Sequence, residues 1–289
     1  MTGWSWSVAR RGPQPDSPLR SGAFSQFALA TLVTVRPARL LAALLLMAVG
    51  ACSARAPATL PSPAATVPVG RQPVRGWVYG HSVQGRPLRV WQLGDPAALR
   101  RVLVVGVIHG DEAAGYRIAL ALMHVPVPPG ASLVLVPDAN PDGLVAHTRQ
   151  NAHGVDLNRN FPHDWRPLGQ RGDQQYSGVG PLSEPEARSL AELIRRIGPT
   201  ISIWFHQPEG VVDLSGGSQT VESRFAAVLG EPVRRLPRYP GSAVGWENHV
   251  LTGSTAFVVE LPRVPSRALG ARAVLAVLSE LGRVFHPPA

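Results

Sequence analysis

Four short runs of apolar, β-branched residues lie between residues 100 and 260, and each leads to a polar residue. They are 102–108, running to His109; 131–137, running to Asn140; 201–205, ending at His206; and 256–259, ending at Glu260. Continuous apolar runs of this length predict strands buried on both faces, as in a parallel or mixed sheet. Between them lie longer stretches with helical character, at 111–124, 183–197, 219–230 and 266–284. The first is rich in Ala, Leu, Ile and Met and is stopped by Pro126. His109 is therefore expected at the end of a strand and Glu112 in the first turn of the next helix. Open α/β sheets place their ligand sites at the carboxyl ends of strands. HxxE alone is a weak signal, but His206 offers a third ligand at another strand end. Two histidines and one carboxylate, with a fourth position left for water, make a catalytic zinc set.

Further segments follow in order. Asn140-Pro141-Asp142-Gly143 has the composition of a turn. Thr148-Arg149-Gln150-Asn151, the run from Asp156 to Pro162 (DLNRNFP), and Tyr176 to Glu186 (YSGVGPLSEPE) come next, before the strand that ends at His206 and the VVELP segment around Glu260. In this order the segments resemble the zinc metallocarboxypeptidase family over residues 74–285, and most nearly its bacterial branch of murein peptide amidases. The resemblance implies an α/β fold, a mixed and largely parallel sheet with helices on both faces. It implies one zinc ion held by His109, Glu112 and His206. Asp156 matches the carboxylate that orients the first histidine. Asn158 and Arg159 match the pair that grips a substrate's terminal carboxylate, a task suited to the planar arginine fork. Arg149 resembles the arginine that steadies an oxyanion, and Glu260 matches the catalytic glutamate.

Simpler roles compete for several of these residues. Asp156 suits a helix or turn cap, and Arg149 suits an exposed surface. Glu260 follows apolar residues, where a carboxylate is costly unless paired or functional. Tyr239 is the candidate for the family's mobile substrate-binding tyrosine, although an ordinary loop tyrosine fits the position equally. The pocket-shaping segment 241–245 (GSAVG) carries no acid, which disfavours selectivity for a simple cationic side chain.

Composition narrows the remaining classes. The chain has 289 residues, 45% of them hydrophobic, and a net charge of +9. All 28 basic residues are arginine, and seven precede residue 74. They are scattered without aromatic interleaving, so no nucleic-acid partner is expected. The single cysteine, Cys52, excludes an intramolecular disulfide. Arg36 and Arg39 precede an apolar run, 40–49, that ends in Val49-Gly50-Ala51-Cys52. This reads as a lipoprotein signal over 36–52, with Cys52 lipidated and the protein exported and anchored to the cell-envelope membrane. Cys52→Ser should then move the protein from membrane to soluble fractions; absence of labelled palmitate from the wild type would refute the reading. Residues 1–35 read as a disordered extension or a mis-assigned start, and the Pro/Ala-rich 53–73 as a tether. The expected activity is zinc-dependent cleavage of γ-D-glutamyl–diaminopimelate bonds in cell-wall peptides. The alternatives are a C-terminal carboxypeptidase, an N-acyl amino acid deacylase, or a non-catalytic envelope binding protein.

Overall fold

A computed structural model describes residues 74–282. Cys52 with its signal segment, the tether and the first 35 residues lie outside the described residues. Eight strands form one sheet: β1 (Val74–His81), β2 (Pro87–Gly94), β3 (Arg100–Val105), β4 (Ala131–Val136), β5 (Ile201–His206), β6 (Val211–Asp213), β7 (Val233–Arg234) and β8 (Thr255–Glu260). Their order is β1-β2-β4-β3-β5-β8-β6-β7. The centre, β4-β3-β5-β8, is parallel, whereas β2 joins it antiparallel at β4 and β6 joins it antiparallel at β8. The six helices are α1 (Ala114–Leu122), α2 (Pro141–Ala146), α3 (Pro185–Ile197), α4 (Gln219–Leu229), α5 (Ala243–Val250) and α6 (Arg267–Gly282).

Strand alternation sorts the core into two layers. Val102 and Val104 of β3 face one side with Ile118 of α1, Phe225 of α4 and Val277 of α6. Leu103 and Val105 face the other, with Leu190 and Ile194 of α3 and Trp246 of α5. Both faces of β3 are thus covered, which is why its sequence is an unbroken apolar run rather than an alternating one. The fold is the expected mixed α/β sheet between two helical layers.

Two local expectations are corrected. Asn140 to Gly143 is not a free turn but the start of α2: the Asn140 side chain accepts the Gly143 N–H at 3.0 Å, and Pro141 occupies the first turn. Asn and Pro favour helix starts as well as turns, so composition alone does not separate the two. Helix α1 begins at Ala114, with Ala113 as its cap, so Glu112 precedes the helix. Glu112 N–H instead closes a turn on the His109 carbonyl at 3.1 Å, and the Gln207 side chain accepts the Ala114 N–H at 3.0 Å.

Helix α5 is fixed to the sheet through a buried carboxyl. Glu247 is fully buried and bonds Ser202 Oγ and, at 3.1 Å, the Trp204 indole N–H. Burial raises its pKa from 4.5 to about 7, against the lowering effect of those two bonds. The folded state therefore holds this proton where the unfolded chain has released it. The stabilisation is complete below pH 4.5 and is lost as pH rises toward 7, a change on the order of 3 kcal/mol. Glu247→Gln, whose amide mimics the neutral acid, should flatten that part of the pH–stability curve in denaturant titrations. An unchanged slope between pH 5 and 7.5 would contradict it.

Candidate active site

His109 and Glu112 sit on the loop after β3, and His206 ends β5, its neighbour in the sheet. All three are buried. Their ligand atoms converge: His109 Nδ1 lies 2.9 Å from one Glu112 oxygen, His206 Nδ1 lies 2.9 Å from the other, and the two Nδ1 atoms are 3.2 Å apart. The opposite edge of the His109 ring fixes its tautomer. Nε2 lies 3.1 Å from Asp156 Oδ1, and an ionised carboxylate only accepts, so Nε2 carries the proton and Nδ1 keeps its lone pair for the centre. Burial alone would raise the Asp156 carboxyl, but the charges of His109 and then Arg149 hold it well below the usual carboxylate range. Asp156 also caps the 3-10 turn Leu157–Arg159 by accepting the Asn158 N–H at 2.9 Å. The orienting and capping readings are therefore both satisfied by one side chain.

This donor set fits zinc. Ligand atoms about 2.0–2.2 Å from a tetrahedral zinc stand roughly 3.3 Å from one another, and those present are within a few tenths of an ångström of that. Two glycines make the geometry reachable. A Cβ on Gly110 would lie 1.9 Å from the Gly143 carbonyl carbon, so the ligand turn rests directly on the first turn of α2. Gly241 has φ +70°, and a Cβ there would meet the Arg159 carbonyl oxygen at 2.3 Å. That approach brings 241–245 alongside the 3-10 turn, where Phe161 N–H donates to the Gly241 carbonyl at 3.0 Å.

These residues open on a cavity of about 460 Å³, which is also lined by Arg149, Asn158, Arg159, Tyr239 and Glu260. Glu260 ends β8, directly paired with His206 of β5. One of its carboxylate oxygens is buried without a hydrogen-bond partner. Burial, followed by the nearby Glu112 charge, pushes its pKa up against the opposing pull of His206. Arg149 is not a free surface cation. Its Nε donates to Asp156 at 2.9 Å and its NH1 to Glu112 at 3.0 Å, so it braces both acids behind the ligand set while reaching the cavity. Arg159 is 4% exposed, and its Nε is buried with no partner. Its guanidinium carbon lies 4.1 Å from the ring centre of Tyr239, which is itself half-exposed at the rim. The Asn158 side-chain carbonyl accepts the Ala243 N–H at 2.9 Å, so contact with a ligand falls to its amide NH₂.

All the expected domain residues therefore gather at one cavity or directly behind it. Among the lining residues that were not expected are Asp213, Ser215 and Arg238. Asp213 and Ser215 belong to β6 and the loop after it, and a three-residue strand is too short to show alternation. Arg238 is one arginine among 28. The acid lacking from 241–245 is thus supplied by Asp213, from a different segment.

Residues 130–230 match the family model described as zinc carboxypeptidase, and the fold and the His109–Glu112–His206 set are in keeping with that match. Murein peptide amidase A of Escherichia coli K12 is 33% identical to it over 146 residues, 47% of this chain and 60% of that protein. The chain therefore spans less than two thirds of that relative. Gamma-D-glutamyl-L-diamino acid endopeptidase 1 of Lysinibacillus sphaericus is 32% identical over 149 residues, covering 38% of this chain and 37% of the other. Among solved structures, the murein-tripeptide amidase of Escherichia coli O157 superposes with a TM-score of 0.61 at 27% identity, over 76% of this chain and 96% of that one. Carboxypeptidase A of Helicoverpa armigera, at TM-score 0.63 and 17% identity over 74% and 70%, shares the fold.

Proposed function

We propose that this protein is a zinc-dependent amide hydrolase that cuts γ-D-glutamyl–diaminopimelate bonds in cell-wall peptides. The observation that carries it is the meeting, in one cavity, of the His109–Glu112–His206 set, the partly unpartnered Glu260 carboxylate and the buried Arg159 guanidinium. Zinc, when bound, supplies a Lewis acid that polarises the scissile carbonyl and acidifies water. The protein's own groups do the rest. Glu260, its pKa pushed up by burial, takes the proton of the attacking water and passes it to the leaving amine. Arg149, with two of its five N–H groups already committed, has donors left to meet the negative charge that develops on the carbonyl oxygen. Arg159 and the Asn158 amide hold the α-carboxylate of the departing residue. Asp156 and Arg149 keep His109 and Glu112 in place throughout.

The choice of bond is supported by the likeness to the murein amidases and to the γ-D-glutamyl-diamino acid endopeptidase. The test compares kcat/KM on L-Ala-γ-D-Glu-diaminopimelate with α-linked peptides ending in Phe, Leu and Arg. A clear preference for the γ-linked peptide is expected. Preference for any α-linked peptide would replace this reading with that of a C-terminal carboxypeptidase.

A further inference from the structure

Nine charged or histidine side chains line the cavity. Six are engaged by the chemistry above: His109, Glu112, Arg149, Arg159, His206 and Glu260. The others are Glu209, Asp213 and Arg238. Glu209 is exposed at the rim. Asp213 and Arg238 form an ion pair at 2.6 Å, with Asp213 2% exposed and the Arg238 side chain 47% exposed. A buried acid with an open arginine on top of it, inside the cavity of a hydrolase, has no part in breaking the bond.

Sheet register says where the pair stands. Val211 of β6 pairs with Glu260 of β8, and Val212 with Val259. Asp213 therefore shares the cavity face with Val211 and Glu260, two residues further along β6. That displacement is about 6.6 Å along the strand. Val258, opposite Asp213 in the continuation of that register, lines the cavity, and its N–H bonds Ser215 Oγ at 3.0 Å. Asp213 is held in position by three donors: Leu236 N–H at 2.8 Å, Ser215 Oγ at 2.7 Å and Arg238 NH1 at 2.6 Å. A carboxylate offers about four acceptor sites, so one remains. Arg238 NH2 also donates to the Leu214 carbonyl, which fixes the guanidinium over the pair and leaves its outer edge to the cavity.

Such a pair suits a particular ligand. A lone cation, as in lysine or arginine, would be attracted by Asp213 and repelled by Arg238. A lone carboxylate would meet the reverse. A side chain ending in both an ammonium and a carboxylate satisfies both partners, each through a charge-assisted bond. Diaminopimelate ends that way, and its two amino-acid centres are four carbon–carbon bonds apart, on the order of 5 Å when extended. We infer that Asp213 and Arg238 are the specificity pair of this site, Asp213 receiving the distal ammonium of diaminopimelate and Arg238 its distal carboxylate. The inference deepens the proposed function and rests on it for the identity of the substrate.

The test separates the two. The zinc-loaded full chain is titrated calorimetrically with free meso-diaminopimelate, with lysine, which lacks the distal carboxylate, and with 2-aminopimelate, which lacks the distal ammonium. These amino acids contain no amide linkage, so their order of affinity is independent of whether γ- or α-linked peptides are cut. Diaminopimelate should bind about 10- to 100-fold more tightly than either relative. Arg238→Gln should abolish the advantage over lysine while keeping the advantage over 2-aminopimelate. Asp213→Asn should do the opposite. Asp213 also braces the 214–236 connection, and if that variant fails to fold, the exposed Arg238 decides alone. The same reversal should appear in kcat/KM for L-Ala-γ-D-Glu-X with the three residues as X. Equal wild-type affinity for lysine and diaminopimelate overturns the inference. So does discrimination that survives Arg238→Gln, or that is lost in Glu209→Gln instead.

Discussion

Glu260→Gln is expected to lower kcat by roughly 10²- to 10⁴-fold while zinc content stays at the wild-type level. The amide keeps the shape of the carboxylate but cannot take up a proton at neutral pH. The setting makes the loss hard to repair. Glu260 has a buried oxygen without a partner and sits beside His206 across the β5–β8 pair, so no other carboxylate shares its position. Metal content separates a missing base from a damaged centre. Near-normal turnover would transfer the role to another carboxylate of the cavity, and Glu209 is the one to try next. Glu247 is not a substitute: it is spent on Ser202 and Trp204 beneath α5 and does not line the cavity.

His206→Ala is expected to remove most of the zinc, reducing about one ion per chain to a small fraction after dialysis. Only His109 and Glu112 would remain, and Arg149 would compete for the Glu112 carboxylate it already touches. A milder comparison is Asp156→Asn. It leaves all three ligands but alters the proton on the His109 ring, for which a 10- to 100-fold loss of zinc affinity is typical. His206→Ala should exceed that range in a chelator competition. Full zinc retention in His206→Ala would exclude it as a ligand.

The four central strands were legible as unbroken apolar runs, and the four long helices because each is long enough to show helical character. β5 and β8 carry their decisive residues at their last positions, so finding the strand located His206 and Glu260. Strands β1, at the sheet edge, and β2, beside it, were missed because Arg, Gln and Gly interrupt their apolar residues. Strands β6 and β7 have three and two residues and exist through pairing with neighbours distant in sequence, which no local pattern reports. The metal set was readable from residue types and strand ends together with the family resemblance. Asp213 was not, since its meaning comes from facing the same side of the sheet as Glu260 across an antiparallel junction. Arg149 looked like either a surface cation or an oxyanion donor; its two bonds to Glu112 and Asp156 appear only in three dimensions.

The contact between Gly110 and Gly143 has a consequence for how this centre can vary. Where side chains set a distance, neighbouring rotamers adjust and a small change is absorbed gradually. Here main chain lies against main chain, and peptide units have no rotamers to offer. The gap between the ligand turn and α2 is therefore not tunable by repacking. A carbon added at Gly110 has to push the whole turn, with His109 and Glu112 on it, off α2, whereas one added at Gly143 would meet the Asn140 side-chain nitrogen at 2.5 Å and the Gln150 carbonyl oxygen at 2.6 Å. Variation at Gly110 should be all-or-none, and a library randomised there and selected for bound metal would return glycine.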